Sequence, residues 1–132
     1  MSELYNQGRE AAHEVGVRNR RAVLGDAHVD AAVERQTPTT EIFQDFITRT
    51  AWGDIWNREA LDHTQRRLLT IAILTAVGND GELDMHIRAA LRAGVEQDLI
   101  AEVLLHTAVY AGVPNSNHGF KLLSAAVAEE QK

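Results

Sequence analysis

The chain is 132 residues long, 45% hydrophobic and 24% charged, with a formal net charge of −6 and no cysteine. That length fits one domain with a real core, and an acidic surface disfavours phosphate backbones as partners, so no nucleic-acid binding is expected. The missing cysteines exclude a disulfide framework, a thiolate zinc site, an iron–sulfur cluster and thiol redox chemistry. No apolar run approaches the roughly 20 residues of a membrane span, and MSELYNQGRE has no apolar signal core. The expectation is a cytoplasmic protein, away from membranes, with a single domain over residues 1–132.

In chain order the pattern is helical throughout, and no segment alternates long enough to make a strand. A polar helix spans Leu4 to about Val15, and the basic stretch Val17–Asp26 follows. Asp26 caps a short helix to about Arg35, although over residues 17–38 the pattern does not separate loop from helix. Gln36-Thr37-Pro38-Thr39-Thr40 is the clearest break. Thr39 or Thr40 then caps a helix bearing Ile42, Phe43, Phe46 and Ile47, which ends near Gly53 beside Trp52, Ile55 and Trp56. Asp62 opens the next helix, with Gln65 as its capping-box partner. Leu68 to Val77 is apolar nearly all round, which suits a central helix or one covered by another subunit. Gly78-Asn79-Asp80-Gly81 reads as a tight connection, followed by a helix from Glu82 to Ala93 that stops at Gly94. A further helix runs from Glu96 to about Gly112, and Pro114 starts the last, which reaches about Glu129.

Four polar groupings stand out. Glu82 and His86 share one helix face, where a carboxylate orients an imidazole and raises its basicity; an exposed Glu–His pair fits the same spacing. Glu102, His106 and Tyr110 form a line on a strongly apolar helix, as partners in a site or as structural hydrogen bonds. Gly112 to His118 brings Asn115, Asn117 and His118 to a helix start, which favours anions and equally suits a plain turn. The arginines Arg18, Arg20, Arg21, Arg66, Arg67 and Arg88 are candidate carboxylate binders or surface charges. The Glu-x-x-x-His repeats at 82/86 and 102/106 lack the spacing and carboxylate number of a di-iron bundle, so no metal is expected.

Taken together, Arg20 to Asp30, Phe43 to Arg49, Ala51 to Trp56, Arg66 to Leu74, Glu82-Leu83, His86 to Ala90, Glu102-Val103, Tyr110 to Pro114 and Asn117 resemble the carboxymuconolactone decarboxylase family over nearly the full length. The wider alkylhydroperoxidase D-like superfamily carries Cys-x-x-Cys-x-x-x-His. Anchored on His86, its two cysteines fall on Asn79 and Glu82, so peroxidase chemistry is closed to this chain. The resemblance implies an all-α fold of about six or seven helices that assembles as a homo-oligomer, a hexamer built from trimers. Positions such as His106 and His118 vary within the family, which argues against an essential role for either and leaves their participation open.

The activity implied is decarboxylation of 4-carboxymuconolactone to 3-oxoadipate enol-lactone, in protocatechuate catabolism through the β-ketoadipate pathway. No cofactor is needed, because electrons released with carbon dioxide flow through the ring double bond into the lactone carbonyl. On this reading His86 is the general acid and Glu82 orients it. Tyr110 and Asn117 donate to the lactone oxygen, Arg66 or Arg88 anchors the acetate arm of the lactone dicarboxylate, and Arg21 contributes from a neighbouring subunit. Trp52 helps keep the pocket dry, and Glu102 holds the site or is a structural acceptor. A related lactone or keto-acid enzyme and a non-catalytic helical assembly protein are the other readings.

Overall fold

Helix starts in this chain are set by side chains that satisfy first-turn amides. In the computed structural model, which describes residues 2–130, the Ser2 side chain accepts from the Tyr5 amide and opens α1, Glu3–Leu24. This helix runs unbroken through the basic stretch that the pattern leaves undecided, and Gly25 ends it at φ +91°, where a side chain would be strained. α2, Asp26–Glu34, follows directly, with Asp26 inside its first turn and Gly25 in the cap position. Thr37, rather than Thr39 or Thr40, caps α3, Pro38–Ile47, and Thr40 completes a reciprocal capping box. Pro38 explains the shift, since proline favours the first helical position, where its missing N–H costs nothing. A π-helical turn, Thr48–Trp52, and a 3₁₀ turn, Ile55–Asn57, finish this part of the chain.

These elements belong to the first of two compact units, residues 1–61 and 62–132. Inside it, α1 meets the π-helical turn backbone to backbone. A Cβ on Gly16 would stand 1.9 Å from the Thr48 carbonyl oxygen, and one on Gly53 would stand 2.3 Å from the Ala12 carbonyl oxygen. The two indoles close the core at a ring separation of 4.9 Å for Trp52 and Trp56. Asp45 accepts from Arg9 and Arg49, at 2.9 Å each, and ties α3 to α1. Burial pushes the Asp45 carboxyl up, yet the hydrogen bonds from Arg49 and Arg9 outweigh it and hold it below the usual carboxylate range. Its contribution to stability is therefore complete above the ordinary carboxylate pKa and is lost as the pH falls through the lowered one.

The second unit is a bundle of four helices. Asp62 caps α4, His63–Val77, accepting from the Gln65 amide at 2.7 Å while the Gln65 side chain accepts from the Asp62 amide at 2.9 Å. Gly78 stops α4 in the left-handed region. The Asn79 side chain then caps α5, Asp80–Arg92, which starts two residues earlier than the spacing suggests. α6, Gln97–Ala111, and α7, Val113–Glu130, meet at Gly112, φ +108°. Ile71, Leu83, Ile87, Ala90, Ile100, Leu104, Leu123 and Ala126 form the core. Thr75 and Thr107 enter it because each hydroxyl donates to a carbonyl one turn back. α4 is not wrapped on all sides in the chain alone: Leu69, Ile73 and Val77 stay 49–69% exposed. Among the described residues no helix is long and apolar enough to cross a membrane.

The close approach at Gly16 yields a direct test. Gly16→Ala forces a methyl against carbonyl oxygen and should cost roughly 1–3 kcal/mol by urea unfolding. Gly8→Ala, whose Cβ meets nothing within 4 Å, should instead stabilise by about 0.5–1 kcal/mol through helix propensity alone.

Candidate active site

α5 carries the Glu82–His86 pair, and the two residues have different surroundings. The inward stripe of the helix is Leu83, His86, Ile87 and Ala90, and His86 is 7% exposed among them. Glu82, one turn earlier, is exposed to solvent in the first turn. The pair therefore spans the wall of the bundle, with the imidazole inside and the carboxylate outside. Arg88, on the same helix, is committed: its Nε donates to Asp84 at 3.0 Å and its Nη1 pairs with Glu129 of α7. The hydrogen bond to Asp84, assisted by Glu129, raises its already high pKa.

The two arginines at the start of α4 are sorted by the helix. Arg66 is half-buried and shares its line with Thr70, Ile73 and Val77, the last two exposed. Arg67 lies on the line of Ile71 and Thr75, all three buried, and is itself 4% exposed. Burial pulls the Arg67 guanidinium pKa down, and the like charge of Arg92 adds to the effect. The sequence reading treats the two as one basic pair; the i, i+4, i+8 match of Arg67 with Ile71 and Thr75 is the signal that separates them.

The line Glu102, His106 and Tyr110 faces outward. All three are exposed, Tyr110 at 80%, and the His106 and Tyr110 rings pack at 5.0 Å with a 36° tilt. Their apolar neighbours Leu105 and Val109 are exposed too. Asn117 at the start of α7 is also exposed. There Asn115 donates to the Ala76 carbonyl at 3.0 Å, and His118 Nδ1 meets Asp80 at 3.1 Å. Two expected site residues belong to the first unit. Arg21 is paired with Asp26 and Asp30, at 3.0 and 2.8 Å, on the edge of a cavity of about 350 Å³ lined also by Arg20, Val29, Val33 and Gln44. Trp52 is core there, packed against Trp56 with the rings tilted by 34°. Among the described residues, no three His, Asp or Glu side chains are grouped to hold a metal ion.

Within the four-helix unit His86 and Arg67 are both buried, while Glu82, one turn before His86 on α5, is exposed. Comparison with known proteins agrees with an enzyme. Residues 41–125 match the family model described as the carboxymuconolactone decarboxylase family. A 4-carboxymuconolactone decarboxylase of Acinetobacter baylyi is 43% identical over 82% of this chain and 81% of its own. A nitrosuccinic acid decarboxylase of Metarhizium robertsii is 41% identical over 76% of this chain and 70% of its own. A 4-carboxymuconolactone decarboxylase of Pseudomonas putida is 50% identical over 32% of this chain and 88% of its own.

The helix that presents the imidazole depends on its cap. Asn79→Ala removes the acceptor for the Glu82 amide and should lower stability by about 1 kcal/mol in urea unfolding, whereas Asn79→Asp should stay within a few tenths.

Proposed function

Because the chain belongs to the carboxymuconolactone decarboxylase family, we propose that it removes the ring carboxylate of 4-carboxymuconolactone as carbon dioxide and releases 3-oxoadipate enol-lactone. The bond between the γ ring carbon and its carboxylate breaks, and its electron pair moves through the ring double bond into the lactone carbonyl. The dienolate so formed takes a proton at the carbon α to the carbonyl. The substrate holds its own electron sink, so the protein has to place, stabilise and protonate. Likeness to decarboxylases along most of the chain supports this reading, and the observation that carries it into the structure is His86, an imidazole buried on the stripe of α5 that also carries Leu83, Ile87 and Ala90.

In this reading His86 delivers the proton. Glu82, one turn away and open to solvent, orients the ring and returns the proton lost in each turnover. An arginine at the start of α4 anchors the acetate arm, since Arg88 is already held by Asp84 and Glu129. Tyr110 and Asn117 donate to the lactone oxygen only once their exposed surroundings are covered. A second copy of the chain is the cover we propose. The outer faces of α4 and α6 present Leu69, Ile73, Val77, Leu105 and Val109 to solvent, and exposed apolar groups mark an interaction surface where they adjoin. A homo-oligomer, a hexamer in the fullest form of the proposal, would bury it.

The nitrosuccinic acid relative favours a second reading with the same machinery. There the nitro group, in place of the lactone carbonyl, would accept the electrons released by decarboxylation.

Three measurements test these statements. With purified protein and no added cofactor, 4-carboxymuconolactone should disappear by absorbance faster than nitrosuccinic acid is consumed, and excess chelator should leave the rate unchanged; the reverse substrate preference selects the second reading. His86→Ala should lower kcat by at least roughly 10²-fold with the helical circular dichroism intact, and near-normal turnover removes His86 as the acid. Ile73→Lys combined with Val109→Lys should shift the mass found by light scattering toward that of one chain.

A further inference from the structure

Two kinds of contact hold α5, and they act differently. The apolar stripe Leu83, Ile87 and Ala90 decides which face turns inward, but apolar contact is non-directional and lets a helix slide or tilt by a fraction of a turn. Hydrogen bonds are directional and fix position along the axis. Those that reach α5 from another helix come from α7, which packs along it. Toward its far end Arg88 Nη1 pairs with Glu129. At its start His118 Nδ1 lies 3.1 Å from Asp80 Oδ2; an ionised carboxylate only accepts, so the imidazole donates there.

We propose that His118 is a positioning residue for the decarboxylation, which rests on the reading above: through Asp80 it fixes the first turn of α5, from which Glu82 reaches His86. The start of α7 grips the α4–α5 turn from both sides. Asn115 Nδ2 donates to the Ala76 carbonyl, two residues before Gly78, at 3.0 Å. His118 holds Asp80, two residues after Gly78. Asn115 and His118 are three residues apart and so share one face of α7. The cap of α5 needs such help, because the Asn79 side chain accepts from the Glu82 amide at 3.3 Å, a long hydrogen bond. Around α5, Asp80, Asp84 and Arg88 form one line, of which Asp80 and Arg88 meet α7. Glu82 and His86 form another line about 200° away. Holding α5 by the first line sets the height of the second. The stretch of α7 held in this way also carries Asn117. The His118 and Asp80 side chains are 59% and 50% exposed, so their pairing adds little to stability. What it supplies is geometry.

The test combines turnover with the signal of the proposed acid. His118→Ala should lower kcat roughly tenfold, since a misplacement of about 1 Å can cost up to 10²-fold. KM should stay within about twofold, and the urea midpoint should be nearly unchanged. The His86 ring resonance in NMR spectra, identified by its absence from His86→Ala, should move in the same variant. Asparagine places an amide nitrogen where His118 holds Nδ1, so His118→Asn should restore both kcat and the resonance. Asp80→Ala should copy His118→Ala, and the double variant should lose no more than either; Asp80→Ala decides the matter should His118→Ala fail to fold. A pairing that only stabilises would lower the urea midpoint and leave kcat of the folded protein as it is. Unchanged kcat in the alanine variants overturns the proposal, as does a loss of kcat with the His86 resonance unmoved. So does His118→Asn behaving as His118→Ala, which would make the imidazole itself the reacting group. Failure of the decarboxylase reading looks different: wild-type protein then turns over neither 4-carboxymuconolactone nor nitrosuccinic acid, and the resonance in the same variants decides by itself whether His118 sets α5.

Discussion

An imidazole fixed on the buried stripe of α5 is the constraint on which the rest of the structure turns. His86 sits between Leu83 and Ile87, both fully buried against Ile71, Ile100 and Leu104. Those apolar contacts set the rotation of α5, and the Asn79 cap and the Gly78 turn set where the helix begins. Rotating α5 by one residue, about 100°, would carry the imidazole off this stripe. Packing and the proposed chemistry thus share one set of contacts: the core that stabilises the second unit also fixes the helix face on which His86 lies.

Local chemistry made much of this fold legible. Asp62 and Gln65 form the expected capping box, Gly94 follows the end of α5, and Pro114 lies in the first turn of α7. Each is a statement about backbone amides or φ angles that a few residues decide. The misplaced features depend on distant partners. At Gly16, inside α1, the Thr48 carbonyl occupies the space a Cβ would take, a pairing of distant positions that no local pattern announces. Nothing in Thr48–Trp52 announces a π-helix. Pro38 stands where a helix begins, as its type predicts, but the cap is the residue before it, Thr37, and not Thr39 or Thr40 after it.

The candidate site was legible to a similar depth. Spacing alone put Glu82 and His86 on one face, but the divide between exposed carboxylate and buried imidazole needs the position of the bundle around α5. The line Glu102, His106 and Tyr110 looked internal because its neighbours are apolar, whereas those neighbours, Leu105 and Val109, are themselves on the outside. Apolar periodicity reports that a face is to be covered, and does not say whether the cover comes from the same chain. Likewise Arg66 and Arg67 are adjacent in sequence and about 100° apart on the helix, which is the difference between the outer line and the core.

The way arginines are distributed bears on how an acidic protein handles a substrate with two carboxylates. Arg9 and Arg49 share Asp45, Arg21 spans Asp26 and Asp30, and Arg88 spans Asp84 and Glu129. Those guanidinium groups serve the fold, and with a net charge of −6 the surface repels a dianion at long range. On the proposed reading recognition is short-range and internal, where a lower dielectric strengthens each contact. Such a site gains nothing by gripping both carboxylates equally, because tight hold on the one that departs deepens the ground state. Binding energy is most useful on the arm that stays, and an apolar wall is most useful around the carboxylate that leaves. On the proposed reading, Leu83, Ile87 and Ala90, which share the buried stripe of α5 with His86, supply the apolar surroundings that this asymmetry calls for.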